Sequence, residues 1–335
     1  MEFKRIAVDT SKSVFTLHGV GPDDRCILRR DLSRAQFERF FDRLPPTVVV
    51  LEACGGSHYW GRRLSGFGHE VRLIPPQYVR PFVKRGKNDH TDAEAINEAA
   101  SRPTMRFVPV KSEHQQADGL ALRVREMLVA QRTQTVNALR GHAAEFGLVA
   151  PRGRGNVPEL VDRITASAMP AAAKAALKQL GERIVELDKQ IAQAELALLR
   201  QHRQHPLSRE LTKVPGVGPI TALTLALTID AGQFGSGRHF AAWLGLTPKE
   251  HSSGGRRRLG GISRAGNERL RELLVVGATS VVRHARPGRS SAWLLGLLGR
   301  KPRKLAAVAL ANKMARVVWA MMARGEAYRP GPAVS

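Results

Sequence analysis

The chain has little cysteine and no long hydrophobic run. Its two cysteines, Cys26 and Cys54, form neither a zinc-ligand spacing nor a disulfide framework, so we expect a cytoplasmic, reducing compartment. No stretch approaches the roughly 18 uninterrupted apolar residues of a transmembrane helix, and the first residues do not resemble a signal peptide. We therefore expect no membrane partner.

Acidic residues are also scarce. Asp and Glu number 29 against 53 Lys and Arg, which gives a formal net charge of +24. Such an excess favours partners with a phosphate backbone, because neutralising phosphates releases their counterions. With 335 residues, 43% of them hydrophobic, the chain is long enough for two domains that each have a core. The composition indicates a globular protein that binds nucleic acid.

Four acids stand out by their position. Asp9 and Glu52 each directly follow an apolar run that is typical of a buried strand. A carboxylate at such a place is costly to bury unless it is paired or bound to a metal. Asp89 and Asp92 are three residues apart at an expected helix start, a spacing that puts both on one face.

Together these four carboxylates would be an oxygen-only ligand set, which suits Mg²⁺ or Mn²⁺. Two such ions can stabilise both the attacking and the leaving oxygen of a phosphodiester. The structural alternative makes Asp89 an N-cap and Asp92 a first-turn acid that the helix dipole favours. The combination of all four acids favours catalysis.

The first part of the chain, residues 1–110, alternates strands and helices. Three apolar segments that end near Leu28 are separated by turn residues and predict a meander. Ser33 opens a helix with capping-box spacing, and two later strands end at Glu52 and Ile74. Three hairpin strands followed by strand–helix alternation predict an α/β fold.

The middle of the chain is predicted to be helical. Residues 114–146 form one amphipathic helix with arginines beside its apolar stripe, followed by a linker rich in Gly, Pro and Arg. A second helix has apolar residues from Leu177 to Leu198 at alternating spacings of three and four. These three heptads predict either a helical hairpin within the chain or a coiled coil between chains.

Glycine and arginine concentrate in the last part. Gly216 and Gly218 precede a helix that opens with Pro219, a pattern typical of a helix-hairpin-helix that binds phosphate or serves packing alone. A later loop joins five glycines to arginines and favours contact with a nucleic-acid backbone. The candidate nucleic-acid contacts are Lys84, Lys87, Gly216, Gly218, Arg256, Arg257, Arg258 and Arg264.

The order Asp9, Glu52 and Asp89-x-x-Asp92, followed by a C-terminal Ser-Gly, resembles the DEDD-type transposases of bacterial insertion sequences. The N-terminal half of these proteins is similar to the Holliday-junction resolvase RuvC. The resemblance covers nearly the whole chain. It implies an α/β plus α architecture: a ribonuclease-H-like (RuvC-like) domain at 1–148, a helical or coiled-coil connector at 149–205, and a mostly helical transposase domain at 206–335. It also implies a divalent metal held by the four acids.

The resemblance further implies a serine nucleophile. Family members carry Gly-Leu-Thr-Pro and, a few residues later, Ser-Gly; matching Gly245–Pro248 places this role on Ser253, next to Ser252. Some members are recombinases guided by a bridge RNA, and the acids of one subunit meet the serine of another. The implied partners are therefore element and target DNA, a structured guide RNA and further copies of the chain as a dimer or tetramer.

Two alternatives stay open at this point. The chain could be a metal-dependent, structure-selective DNA endonuclease in which Ser253 is structural, or a non-catalytic nucleic-acid-binding protein. Metal dependence would separate an enzyme from a binding protein. A covalent adduct with DNA would separate a recombinase from a hydrolase.

Overall fold

The structure, a computed structural model, describes residues 2–84, 86, 88–256 and 258–330. Two candidate nucleic-acid contacts, Lys87 and Arg257, lie outside these residues. The chain forms two compact units, Met1–Gln116 and Ala117–Ser335. The finer three-part division at residues 148 and 205 stays a prediction.

The first unit is built on a five-stranded mixed sheet. Its strands are β1 (Arg5–Thr10), β2 (Val14–Val20), β3 (Cys26–Ser33), β4 (Val48–Glu52) and β5 (Glu70–Ile74). They lie in the order β3-β2-β1-β4-β5. The first three strands form an antiparallel meander, whereas β4 runs parallel to β1 and β5 runs parallel to β4. The predicted α/β character of this region is confirmed.

Helices cover both faces of the sheet. They are α1 (Arg34–Asp42), α2 (Ser57–Gly66), α3 (Pro76–Val79) and α4 (Asp89–Ala100). The predicted capping box opens α1, where Ser33 and Gln36 each bond the other's backbone N–H. On one face, Phe15, Phe37 and Trp60 pack ring against ring. Alternate residues of β1 point to opposite faces of the sheet, and α4 packs on the other face.

The second unit contains mainly helices. They are α5 (Glu113–Ala144, which begins in the last residues of the first unit), α6 (Val157–Ala166), α7 (Ala171–Gln204), α8 (Pro206–Leu211), α9 (Pro219–Thr228), α10 (Gly237–Trp243), α11 (Glu268–Arg283), α12 (Ala292–Leu298) and α13 (Arg303–Arg324). Strands β6 (Pro248–Glu250) and β7 (Leu259–Ile262) form a small antiparallel hairpin. A mixed region followed by a helical one is therefore the observed order.

The heptad residues of α7 are buried inside their own chain. Those with almost no exposed surface are Leu177, Ile184, Leu187, Ile191 and Leu198. Leu177 and Ile184 pack against α5 and α6, Leu198 packs against α5 and α9, and α5 runs antiparallel to α7. The hairpin within the chain thus accounts for the heptads, and no second chain is needed to cover them.

Three of the four arginines beside the stripe of α5 are engaged within the chain. Arg125 bonds Glu195 of α7, and Arg132 lies 2.9 Å from Asp188. Arg140 donates to two carbonyls of the linker that follows α5. Helix α5 consequently offers much less free positive charge to an RNA backbone than its sequence indicates.

Helix α13 is the central element of the second unit. It is long and apolar enough to cross a membrane by length and composition. Its inward residues are buried against α10 and α11: Ala306, Ala307, Ala311, Met314, Ala315, Val318, Trp319 and Met321. Since these contacts are those of a core helix, the composition of α13 needs no membrane to explain it.

The loop between α8 and α9 is the segment for which a helix-hairpin-helix is predicted. Gly216 has a φ of 88° there, a left-handed conformation that favours glycine. A Cβ at Gly216 would lie 2.9 Å from the carbonyl oxygen of Gly277 in α11. Gly216 therefore serves close packing, whereas Gly218 is exposed with nothing near its missing Cβ. Of the two predicted phosphate contacts in this loop, Gly218 is the one with open space.

We predict that Gly277→Ala destabilises the protein by more than about 2 kcal/mol, because the new Cβ would lie 1.9 Å from the Gly216 carbonyl oxygen. Gly141→Ala in α5 is the matched control, since a Cβ there meets nothing within 4 Å. It should raise stability by about 0.5–1 kcal/mol through helix propensity. Urea denaturation measures both, and equal effects of the two substitutions would refute the close approach.

Candidate active site

Two of the predicted acids end adjacent parallel strands. In the register of β1 with β4, Val8 pairs with Leu51, and Asp9 and Glu52 lie one residue further along each strand. Both side chains are partly buried. Because parallel strands expose their carboxyl ends at the same edge, the two carboxylates leave the sheet together.

The other two acids lie in the first turn of α4. Asn88, not Asp89, is the N-cap, and it forms a capping box with Thr91. Asp89 and Asp92 therefore occupy the first and fourth helical positions and share one face. The structural alternative that assigned the cap to Asp89 does not hold, although the helix dipole still favours both acids.

The apolar face of α4 fixes where this first turn lies. Ala95 and Ile96 pack on Ala7, Val50 and Ile74 of the three parallel strands. The helix is thereby held against the strands that end in Asp9 and Glu52. The fold brings together four carboxylates that are separated by up to 83 residues in sequence (92 − 9).

The pKa of Asp9 reflects the proximity of the other three carboxylates. Its pKa is raised to about 6, first by burial and then by the negative charges of Asp92, Asp89 and Glu52. The backbone N–H of Thr10 opposes this rise only weakly. Asp9 is thus a strained carboxylate that a nearby cation would stabilise in its ionised form.

The donor set fits a divalent metal in its chemistry. All four candidates are carboxylates, the ligands that Mg²⁺ and Mn²⁺ prefer. In the part of the chain that the structure describes, no three such side chains are gathered closely enough to hold an ion as they stand. Repulsion among like charges keeps the groups apart, and an ion would offset that repulsion.

A buried polar network beneath α4 escaped the sequence analysis. Arg5 Nε donates to Asn97 Oδ1 at 2.5 Å, and Asn97 Nδ2 donates to the carbonyl oxygen of His18 at 2.8 Å. Arg5 also pairs with Asp24 at 2.7 Å. Burial lowers the pKa of His18, so its neutral form is favoured at this place. A polar Asn in the buried stripe of α4 was the signal that could have revealed the network.

Lys84 is engaged within the first unit. Its Nζ lies 2.6 Å from Glu94 of α4, and this bond is the main reason why the pKa of Glu94 is lowered. Arg29 approaches the same carboxylate at 3.5 Å. Contact of Lys84 with a nucleic acid stays a prediction, and it requires exchange of Glu94 for a phosphate.

Ser253 lies at the tip of the β6–β7 hairpin. The N–H of Arg256 donates to the Ser253 carbonyl at 3.1 Å and closes a two-residue turn at Gly254 and Gly255. Both glycines have positive φ, 55° and 76°, as a type I′ turn requires. The described residues of the tip, including Arg256 and Arg258, are exposed. A large phosphodiester substrate could therefore reach the serine.

The two neighbouring serines differ in their bonding. Ser252 Oγ donates to Glu250 at 2.9 Å and accepts from the N–H of Arg258 at 3.2 Å. Within the described residues, the hydroxyl of Ser253 makes no hydrogen bond. Ser252 thus holds the hairpin together, whereas Ser253 offers a free hydroxyl.

The base of the hairpin is held by close backbone packing. A Cβ at Gly266 would lie 1.7 Å from the carbonyl oxygen of Trp243, and Gly266 has a φ of 68°. The buried Arg271 of α11 donates to the carbonyls of Leu244 and Ala265, at 3.1 and 2.8 Å. Arg264, another candidate nucleic-acid contact, is exposed near this base and has a φ of 57°. The hairpin therefore has a fixed base and an exposed tip.

Comparisons with known proteins identify the family of the chain. Residues 6–146 match the family model DEDD_Tnp_IS110, described as a transposase, and residues 208–293 match the Transposase IS116/IS110/IS902 family. The first match contains all four acids and the second contains Ser253.

Individual relatives extend the similarity to nearly the whole chain. A Sinorhizobium fredii protein with a transposase name is 54% identical over 97% of this chain and 85% of its own length. A Pseudomonas aeruginosa protein, named for transposase family 20, is 47% identical over 99% of this chain and 100% of its own. The "Transposase for insertion sequence element IS1111A" of Coxiella burnetii is 39% identical over 98% and 92%.

The pKa of Asp9 predicts an unusual pH dependence of stability. Since the pKa is about 6 in the folded state against 3.8 ordinarily, the folded protein loses stability as the pH rises from about 4 through 6. Asp9→Asn removes this penalty, so in metal-free buffer it should melt several degrees above wild type at pH 7.5 and much closer to it at pH 4.5. Thermal denaturation with a chelator measures the difference.

Added Mg²⁺ or Mn²⁺ should raise the melting temperature of wild type more than that of Asp9→Asn. Asp162→Asn, which removes an exposed carboxylate of α6, is the control and should leave both the pH profile and the metal response unchanged. An Asp9→Asn protein that is less stable than wild type at every pH would contradict the assignment.

Proposed function

The chain belongs to the IS116/IS110/IS902 family of insertion-sequence transposases, and from this premise we propose that it exchanges DNA strands by phosphoryl transfer with Ser253 as nucleophile. The observation that carries the proposal is the influence of three further carboxylates, Asp92, Asp89 and Glu52, on Asp9. Clusters of that kind occur where a cation and a phosphate are bound.

The acidic half of the proposed reaction rests on Asp9, Glu52, Asp89 and Asp92. A divalent cation held by these residues would supply positive charge at the phosphodiester oxygens. Burial and the three other negative charges together raise the pKa of Asp9. The Asn97–Arg5 network keeps α4, and with it Asp89 and Asp92, in position.

The serine half of the proposed reaction rests on the hairpin tip. Ser253 Oγ attacks phosphorus, an Oγ–P bond forms, and the P–O bond to the leaving strand breaks. The serine gives up its proton, and the leaving oxygen of the strand gains one. Arg256 and Arg258, exposed at the same tip, supply charge that a phosphate needs. Attack by a hydroxyl of a second strand on the phosphoserine then releases Ser253 and joins the new strands.

A guide RNA and an oligomer complete the proposal. A net charge of +24 supports an RNA partner, and two of the arginines of α5, Arg125 and Arg132, are already paired with carboxylates of α7. We propose that the acids and the serine that act on one phosphate come from different subunits. Since the α7 heptads are buried within the chain, the subunits would associate through other surfaces.

We predict a covalent protein–DNA adduct that depends on Ser253 and not on Ser252. Wild type is incubated with a nicked substrate carrying the element ends and denatured, and the DNA-linked peptide is mapped by mass spectrometry. The adduct should vanish in Ser253→Ala. It should persist in Ser252→Ala, whose loss of two hydrogen bonds loosens the hairpin without removing the nucleophile.

A mixture of two inactive variants tests the composite site. Ser253→Ala mixed with Glu52→Gln should regain adduct formation if the serine and the acids come from different chains. Strand exchange at full rate by Ser253→Ala would overturn the nucleophile assignment. The metal-dependent, structure-selective endonuclease would then be the better description.

We also predict that a structured RNA copurifies with protein expressed from the intact element and is lost at high salt, because phosphate contacts weaken as salt competes. Expression from the coding sequence alone is the control and should yield no such discrete RNA. Recombination that proceeds fully after ribonuclease treatment would exclude the guide role.

A further inference from the structure

A cavity in the second unit lies behind the β6–β7 hairpin. Its volume is about 1050 Å³, and it is enclosed by the hairpin, the start of α10, α12 and α13. Gly260 and Gly261 of β7 form part of one wall and leave it without side chains. This volume is at the upper end of those that hold small organic groups.

The lining has charge of only one sign. Among the described lining residues are the four cations Arg238, Lys313, Arg316 and Arg324, and there is no carboxylate. Arg324 is paired with Glu326 at 3.3 Å. Arg238 and Arg316 are exposed and form no hydrogen bond or ion pair with any described residue. Two unpaired guanidinium groups at the rim of a cavity favour an anionic ligand with separate charged groups.

The rest of the lining suits a flat apolar group. Leu305, Val308 and Val317 line the cavity as aliphatic side chains of α13. Trp293 of α12 lines it as well, is 39% exposed, and has Lys313 Nζ 4.4 Å from its ring centre. A partly exposed indole at the wall of a basic cavity provides a surface on which a nucleobase can stack.

We propose that this cavity holds one unstacked nucleotide of the DNA strand that is processed, with its base against Trp293 and its phosphates on Arg238 and Arg316. The inference rests on the proposed function and adds a binding subsite to it. The ligand is assigned to the DNA strand because β6 and β7 contribute to the cavity wall and also lead to Ser253. A strand that passes the hairpin tip can turn one base into the cavity behind it. Holding that base would fix the position of the neighbouring phosphate.

The test is a direct binding measurement that needs no strand exchange. A short single-stranded DNA with one 2-aminopurine is titrated into the full-length protein and into Ser253→Ala, which removes any covalent step. Binding should lower the fluorescence of 2-aminopurine in both proteins, because stacking on the indole of Trp293 quenches it. Affinity for the oligonucleotide is followed by anisotropy in the same titration.

Trp293→Ala should weaken binding about ten-fold and abolish the fall in fluorescence, whereas Trp293→Phe should keep the affinity and the fall in large part. Arg238→Ala with Arg316→Ala should weaken binding at each salt concentration and reduce the magnitude of the slope of log affinity against log salt by about 1.4. Arg183→Ala with Lys189→Ala, which removes the same charge from the exposed side of α7, is the control for net charge.

The outcomes separate this inference from the proposed reaction. Unchanged binding and fluorescence in Trp293→Ala, or equal losses in the two double variants, would overturn the subsite even if Ser253 forms its adduct. A Trp293-dependent response to single-stranded RNA and none to DNA would overturn the assignment to the DNA strand. A Trp293-dependent response to DNA in Ser253→Ala supports the subsite even if the serine chemistry fails.

Discussion

The mutual repulsion of four carboxylates at one sheet edge is the constraint on which the first unit depends. Burial first, and then this repulsion, raise the pKa of Asp9 to about 6. Such a cluster persists only if the surrounding structure holds its members in place. The register of β1 with β4 does so for Asp9 and Glu52, and the packing of α4 does so for Asp89 and Asp92. The buried Asn97–Arg5 bond adds a polar tie between that helix and the sheet.

The second unit is subject to a different requirement: its candidate nucleophile must be exposed and also held in position. The hairpin does this with a tight glycine turn at the tip and a base on which backbone approaches are too close for any side chain. Arg271 bonds the carbonyls of two separate segments there, and Ser252 ties the two strands to each other. Rigidity at the base and freedom of the Ser253 hydroxyl are compatible, because different residues provide them.

Fewer basic side chains are available to bind nucleic acid than the net charge of +24 indicates. Arg125 and Arg132 hold α7 against α5, and Lys84 holds the acidic helix through Glu94. A guanidinium that is already paired with a carboxylate attracts a phosphate less strongly. The charge that is left for nucleic acid is therefore concentrated on exposed arginines such as Arg238, Arg256 and Arg316.

The sequence by itself determined the strands, the long helices and the four acids, because these depend on local periodicity, on capping residues and on what can stand at the end of a buried strand. It also determined the helix start that puts Asp89 and Asp92 on one face. Only the tertiary structure decided that the α7 heptads are covered by their own chain and that Gly216 meets Gly277. The physical reason is that these contacts join residues whose separation along the chain exceeds the reach of any local pattern. Their partners are set by packing, which a single sequence does not display.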